Sequence, residues 1–392
     1  MSEFLHGELL KARGIAVVCA LLGAVACVVG IIFEPRQFFI SYLYAYLFWF
    51  GLTMGCFQLT MIHHLTSGRW GGITRRFLEA GMSALPIMAL LFIPVFFGVK
   101  ALYPWARPED VAHEVILQKR AHYENLAGFI VRSAIFLALW TWIAVRLRQW
   151  SVQQDQTQDL EPTRKMRRLS GIGVVIYPFT GTLVFVDWLL SIEPDWYSTM
   201  FPIIVCISQI LIGVAFSIVA LFWAQRGEPW RELTDRNRLR QLGNLLLAFV
   251  MFWTYISFGQ LLIIYSGNLP AEIHWYLHRI AGNWKLIVAV IAAFHFFVPF
   301  YALLFRGVTR HLRRLTVIAA LVFLTGVVDA YWCVEPTFYP TGIHIDWLDF
   351  AAPIALGGIW FVLFATNFLR APVLPRNDPR LEQQREEAAH AA

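Results

Sequence analysis

This sequence predicts an all-α integral membrane protein of about ten transmembrane helices, and three observations carry that prediction. Hydrophobic residues make up 58% of the 392 and charged residues only 15%, where soluble domains carry about a quarter charged. The apolar residues fall in ten runs, each near the ~20 residues that a helix needs to cross a hydrocarbon core. Lys and Arg collect in alternate loops, as they do where those loops stay in the cytoplasm. A membrane β-barrel would show short segments of alternating polarity instead.

The first run, roughly 14–33, follows Lys11 and Arg13. It is longer than the ~7–15 apolar residues of a secretory signal, so it is expected to stay as the first helix. The others lie at roughly 37–62, 78–98, 127–147, 170–191, 201–225, 242–266, 282–305, 314–335 and 348–369. Pro86, Pro94, Pro178 and Pro299 fall inside runs and remove backbone donors, so kinks are expected there. Two loops are long, about 100–126 and 148–169. The second is polar (Gln153, Gln154, Asp155, Gln156) and reads as a solvated linker, as does the tail after Pro375 with Glu382, Glu386 and Glu387. Of the 32 basic residues, 24 lie at the N-terminus, after runs 2, 4, 6 and 8, and in the tail, against six in the opposite loops. Both termini are therefore expected in the cytoplasm, and the net charge of +6 needs no nucleic acid to explain it. The five cysteines stand singly and read as packing residues.

The chain reads as two related halves. The pattern D-x5-E-P occurs as Asp187 to Pro194 and again as Asp329 to Pro336, each time at the end of an apolar run and with a tyrosine three residues beyond the proline. The expected organisation is a peripheral helix over 1–36, one four-helix bundle over 37–200, a second over 201–340, a last peripheral helix over 341–375, and a cytoplasmic tail over 376–392.

An ionised aspartate inside a lipid-embedded helix costs at least ~2.5 kcal/mol unless it is compensated. Asp187 and Asp329 stand six residues before Glu193 and Glu335, which puts each aspartate ~9 Å deeper along its helix. Arg132 and Lys285 lie at comparable depth on neighbouring runs, so Arg132 is expected to pair with Asp187 and Lys285 with Asp329. Two readings stay open. The pairs are structural, fixing bundle packing, or they belong to a proton relay with Glu193 and Glu335 at the outer mouth. On the relay reading, Lys285 and His295 extend the second path inward, and Glu79, His63 and His64 supply the cytoplasmic side. A quinone-headgroup site, with Asp or His accepting the hydroxyl proton, is a third possibility.

No P-loop, dinucleotide-binding glycine fingerprint or C-x-x-C-H haem attachment is present. A b-type haem needs facing axial ligands, and only His295 lies near the middle of a run. No catalytic residue, cofactor-binding residue or metal ligand is assigned. Trp196, Tyr197, Trp275, Tyr276, Trp332 and Tyr339 read as an interfacial aromatic belt.

Three segments carry a family resemblance: His63-His64-Leu65-Thr66-Ser67-Gly68-Arg69-Trp70-Gly71, the stretch from Asp187 through Thr199, and Phe252-Trp253-Thr254-Tyr255-Ile256-Ser257-Phe258-Gly259-Gln260 leading to Asn268-Leu269-Pro270. The chain resembles, over nearly its whole length, the ActF-type subunits of alternative complex III, within the wider NrfD-like group of polysulfide reductase membrane subunits. The resemblance implies a bacterial inner-membrane subunit of a quinol:electron-acceptor oxidoreductase that carries no redox centre itself. Quinol, haem c and iron–sulfur clusters are then expected in partner subunits: an ActC-like NrfD-type membrane protein, an iron–sulfur protein and c-type cytochromes. A quinol-binding NrfD-like role on this chain is the alternative. A secondary transporter fits less well, because transporter sites sit near the midplane and these charges sit near one face.

Overall fold

The computed structural model describes residues 3–375 together with Asn377 and Asp378; Glu382, Glu386 and Glu387 of the expected tail lie outside them. The described chain is 83% helical and has no strands. Ten helices are long and apolar enough to span a membrane: α1 (Leu5–Phe33), α2 (Pro35–Thr66), α3 (Arg69–Phe97), α4 (Leu126–Gln154), α5 (Glu161–Ile192), α6 (Phe201–Ala224), α7 (Arg236–Gly267), α8 (Trp284–Leu304), α9 (Leu312–Phe338) and α10 (Leu348–Leu369). This is a multi-pass membrane protein.

Helix ends follow local chemistry rather than hydropathy. Ser67, in the left-handed conformation, closes α2 with its N–H on the His63 carbonyl at 3.0 Å. Because α3 starts directly after Gly68, Arg75, Arg76 and Glu79 lie within a helix. Asn125 and Asp235 cap α4 and α7, accepting from the N–H groups of Gly128 at 2.8 Å and Arg238 at 2.7 Å. The expected linker at 148–169 is mostly helix, since α4 runs to Gln154 and α5 begins at Glu161.

The prolines act unequally. Pro86 and Pro94 each sit in the first turn of a new segment, dividing α3 into Arg69–Met82, Leu85–Leu90 and Ile93–Phe97. Pro178 lies inside an unbroken α5. Pro299 cannot donate to the His295 carbonyl, and the six residues Ala292–Phe297 just before it are wound as π-helix.

At the centre stand α2 and α6. Most of the apolar window of α2 is enclosed (89%), against 17% for α1. The two helices meet at glycines: a Cβ on Gly55 would fall 1.9 Å from the Gln209 carbonyl oxygen, and one on Gly213 2.9 Å from the Gly55 carbonyl carbon. Helices α3 to α5 gather on the α2 side and α7 to α9 on the α6 side. Helix α10 is less peripheral than expected, for it packs on α2 and α3 as well as on α1. Buried indoles reach partners, as this core requires: Trp188 donates to Ser133 Oγ, Trp140 to Thr180 Oγ1 and Trp360 to Thr53 Oγ1, all at 2.9 Å.

Candidate functional site

The two aspartates of the repeated pattern end in different surroundings. Asp187 is clamped by Arg132, whose Nε donates to Oδ2 at 2.7 Å and Nη2 to Oδ1 at 3.0 Å. Arg132 also donates to the Tyr123 carbonyl at 3.0 Å and lies 3.9 Å from the centroid of the Tyr123 ring. A bidentate pair of this kind satisfies both groups. Burial, then the nearby Asp187 carboxylate, pushes the Tyr123 phenol up to about 12.

Asp329 has no such clamp. Among the described residues its one side-chain hydrogen bond comes from Ser208 Oγ at 3.3 Å, and it joins no ion pair. Lys285 is exposed and likewise enters no ion pair among them, so the expected Lys285–Asp329 pair does not form. Its position in the first turn of α8, one residue after buried Trp284, turns its side chain outward.

Asp329 instead lines a cavity of about 560 Å³ walled by α6 to α9 and the short helix Pro270–Ile280, with α2 behind. The lining is apolar except for a few groups, among them Ser208, Gln209, Gln260 and Tyr276. Tyr255, Phe258 and Phe297 line it and are themselves exposed, which puts the mouth on the lipid-facing side of α7 and α8. Inside, Gln260 Nε2 donates to Tyr276 Oη at 3.1 Å and its Oε1 accepts from Ser198 at 3.2 Å. Burial pushes the Tyr276 phenol up to about 12.

The roof holds a residue that sequence reasoning missed. Arg279, in the loop helix, is buried and donates to Glu193 at 3.0 Å, to Thr337 at 2.9 Å and to the Trp275 and Cys333 carbonyls at 3.2 and 3.0 Å. It also lies 3.7 Å from the centroid of the Trp275 ring. Burial draws its guanidinium below the ordinary value, and the Glu193 carboxylate opposes that shift. His278 Nδ1 also meets Glu193, at 2.9 Å. Glu193, from the first half, thus ties down the loop helix of the second. Trp275 stacks on Trp196 at 4.3 Å, and Trp275, Tyr276 and Trp332 line the cavity. These members of the expected belt are parts of the roof, whereas Tyr197 is exposed.

The second glutamate, Glu335, is buried against Asp349 and not among cations. His295, on the π-helical stretch, is buried and stacks on Trp253 at 4.5 Å. At the opposite end, Glu79 accepts from Arg75 at 2.7 Å, Arg76 at 2.6 Å, Arg148 at 2.8 Å and Ser151 at 2.6 Å. Asp155 pairs with Arg76 at 2.5 Å and Asp378 with Arg75 at 2.8 Å. This closed cluster ties α3 to α4 and to the start of the tail, and it leaves Glu79 no open face to receive a proton. His64 meets Ser170 at 2.9 Å, and His63 packs so closely on Gly71 that a Cβ there would lie 1.9 Å from Nδ1. Arg132 with Asp187 and Glu193 with its partners are therefore brought together at one end, and Glu79, His63 and His64 lie at the other.

Among the described residues, no group of three or more His, Cys, Asp or Glu is arranged to hold a metal ion. No protein-family model matches the chain, and no curated protein matches it in sequence.

Proposed function

We propose that this chain is a membrane subunit of a bacterial quinol:electron-acceptor oxidoreductase of the alternative complex III type. It works without a redox centre of its own, with both termini in the cytoplasm and the Glu193 end outward. The redox groups belong to an ActC-like membrane subunit, an iron–sulfur protein and c-type cytochromes. Within that assembly the first half is scaffold and the second half handles protons at Asp329. The observation that carries this division is the contrast between matching aspartates: Asp187 is neutralised by Arg132, and Asp329 has, among the described residues, only a hydroxyl partner and faces a cavity. A buried carboxyl without a cation is the group most easily driven between its protonated and ionised forms by a nearby event.

The test is proton release per electron by the whole complex in proteoliposomes. Asp329→Asn is expected to lower that ratio with quinol oxidation retained, and Asp187→Asn to leave it unchanged in complexes that assemble. An unchanged ratio in Asp329→Asn would leave this subunit a scaffold.

A second reading is favoured by the cavity's shape. Its apolar, lipid-facing mouth and the Gln260–Tyr276 pair beside Asp329 suit an aromatic headgroup carrying a hydroxyl on a hydrophobic tail, which is the chemistry of a quinol. On this reading Asp329→Asn abolishes quinol turnover itself, and Gln260→Leu raises the quinol concentration needed for half-maximal rate.

A further inference from the structure

A second pair of carboxyl groups lies apart from that cavity. Glu335 is six residues beyond Asp329 on α9, and six residues turn a helix through about 600°, which faces it away from the cavity toward α2 and α10. There it meets Asp349, in the first turn of α10. Both are buried.

Their hydrogen bonding is unequal. Asp349 accepts at Oδ1 from Ser41 at 2.6 Å and from Gln37 at 3.2 Å, and at Oδ2 from the Asp346 N–H at 2.9 Å. Among the described residues no donor reaches either oxygen of Glu335 in good hydrogen-bond geometry, the Gln37 amide coming nearest. The Gln37 amide is close, but its two hydrogens are committed to Asp349 and Ser41. The groups facing the pair supply no cation: Gln37, Ser41 and Tyr44 come from α2, Tyr331 and Tyr339 from the end of α9, and Asp346 precedes α10. His344 is occupied in stacking on the Tyr339 ring at 4.1 Å. Arg36, at this end of α2, is exposed and acts on Tyr339.

Two adjacent buried carboxylates cannot both stay ionised without a positive charge between them. The one with three donors is built to be the anion. The one with none can be buried at tolerable cost only as the neutral acid, whose O–H then donates to its partner. We propose that Glu335 and Asp349 form a buried carboxyl pair holding one proton, carried by Glu335, and separate from the Asp329 cavity. Its route to water runs past Tyr339, which is partly exposed and donates to Gln37 Oε1 at 2.6 Å.

The test is infrared spectroscopy of the full chain in nanodiscs at neutral pH, reading the C=O stretch of protonated carboxyl groups. The intensity of one such group is expected to vanish in Glu335→Gln, to return in Glu335→Asp, and to be the same in sodium and potassium buffers. Tryptophan fluorescence and gel-filtration profiles confirm that each variant is folded. Loss of the band in sodium but not in potassium overturns the proton assignment in favour of a bound sodium ion. A band unaffected by Glu335→Gln overturns the proposal outright. Asp329→Asn, measured alongside, removes its own contribution independently, so failure here leaves the cavity reading untouched.

Discussion

The same chemical change, Asp to Asn, is expected to have unequal effects at the two matching positions. In Asp187→Asn the amide keeps the shape of the side chain but removes the charge facing Arg132, and only one oxygen remains to accept from two guanidinium donors. Breaking a buried ion pair by removing one partner costs roughly 3–5 kcal/mol. The Arg132 side chain is 21% exposed, so water takes over part of its solvation and the expected loss falls to about 2 kcal/mol. Arg132→Met is worse, about 3–5 kcal/mol, because Asp187, only 3% exposed, loses the cation that clamps it and keeps only the Tyr123 phenol beside it. Asp329→Asn removes no cation contact, and the amide can still accept from Ser208, so the change stays within about 0.5 kcal/mol or stabilises. The assay is reversible unfolding of the full chain in mixed micelles followed by tryptophan fluorescence, completed by the Arg132→Met, Asp187→Asn cycle, which should return about 1–3 kcal/mol of coupling. Equal losses at Asp187 and Asp329, or a silent Arg132→Met, would refute the reasoning.

Gly55→Ala drives a methyl group into the Gln209 carbonyl and should cost at least ~1–3 kcal/mol, whereas Gly259→Ala, with open space around it, should stabilise α7 by up to ~1 kcal/mol; the same unfolding assay reads both. Arg279→Met should loosen the cavity roof, seen as faster amide exchange across Pro270–Ile280, because four acceptors on three elements each lose a donor. Tyr123 and Tyr276, both raised from 10.0 to about 12, are neutral in the fold at a pH where the unfolded chain has begun to lose those protons. Their stabilising contribution is complete below pH 10 and disappears as pH rises toward 12; ultraviolet titration should show both phenols ionising late, and Tyr276→Phe should remove one of them.

The ten helices and the Arg132–Asp187 pair were legible because they depend on quantities written along one dimension: run length, and depth counted from the end of a helix. The failure at Lys285 shows the limit of that count. Depth places Lys285 level with Asp329, but which way a side chain leaves its helix depends on rotation about the axis, and α8 turns Trp284 inward and Lys285 out. Arg279 was overlooked for a related reason. It follows an apolar run and looks like any loop cation, and only the folding back of Pro270–Ile280 buries it. The Glu79 cluster was obscured by hydropathy itself, which starts the third run near residue 78 and so leaves Arg75 and Arg76 in a loop, while the cap at Ser67 starts the helix at Arg69.

The repeated D-x5-E-P pattern shows how one sequence spacing can support two chemistries. In the second copy Asp329 and Glu335 share one helix, which sets them roughly 9 Å apart along its axis, whereas in the first the α-helix ends at Trp188, Leu190–Ile192 form a 3-10 turn and Glu193 lies beyond it. In the first copy both carboxylates are answered: Asp187 by Arg132, and Glu193 by Arg279 with His278 in hydrogen-bond contact. In the second copy neither is answered by a cation among the described residues: Asp329 meets a hydroxyl and a cavity, Glu335 another acid. Packing alone does not ask for this arrangement, because an apolar side chain of similar volume usually serves a buried site as well as or better than a polar one. A pair of unanswered carboxyls in the half that also contains the lipid-facing cavity is therefore where function is to be sought, and the half whose two carboxylates are answered provides the rigid frame against which those groups can change charge.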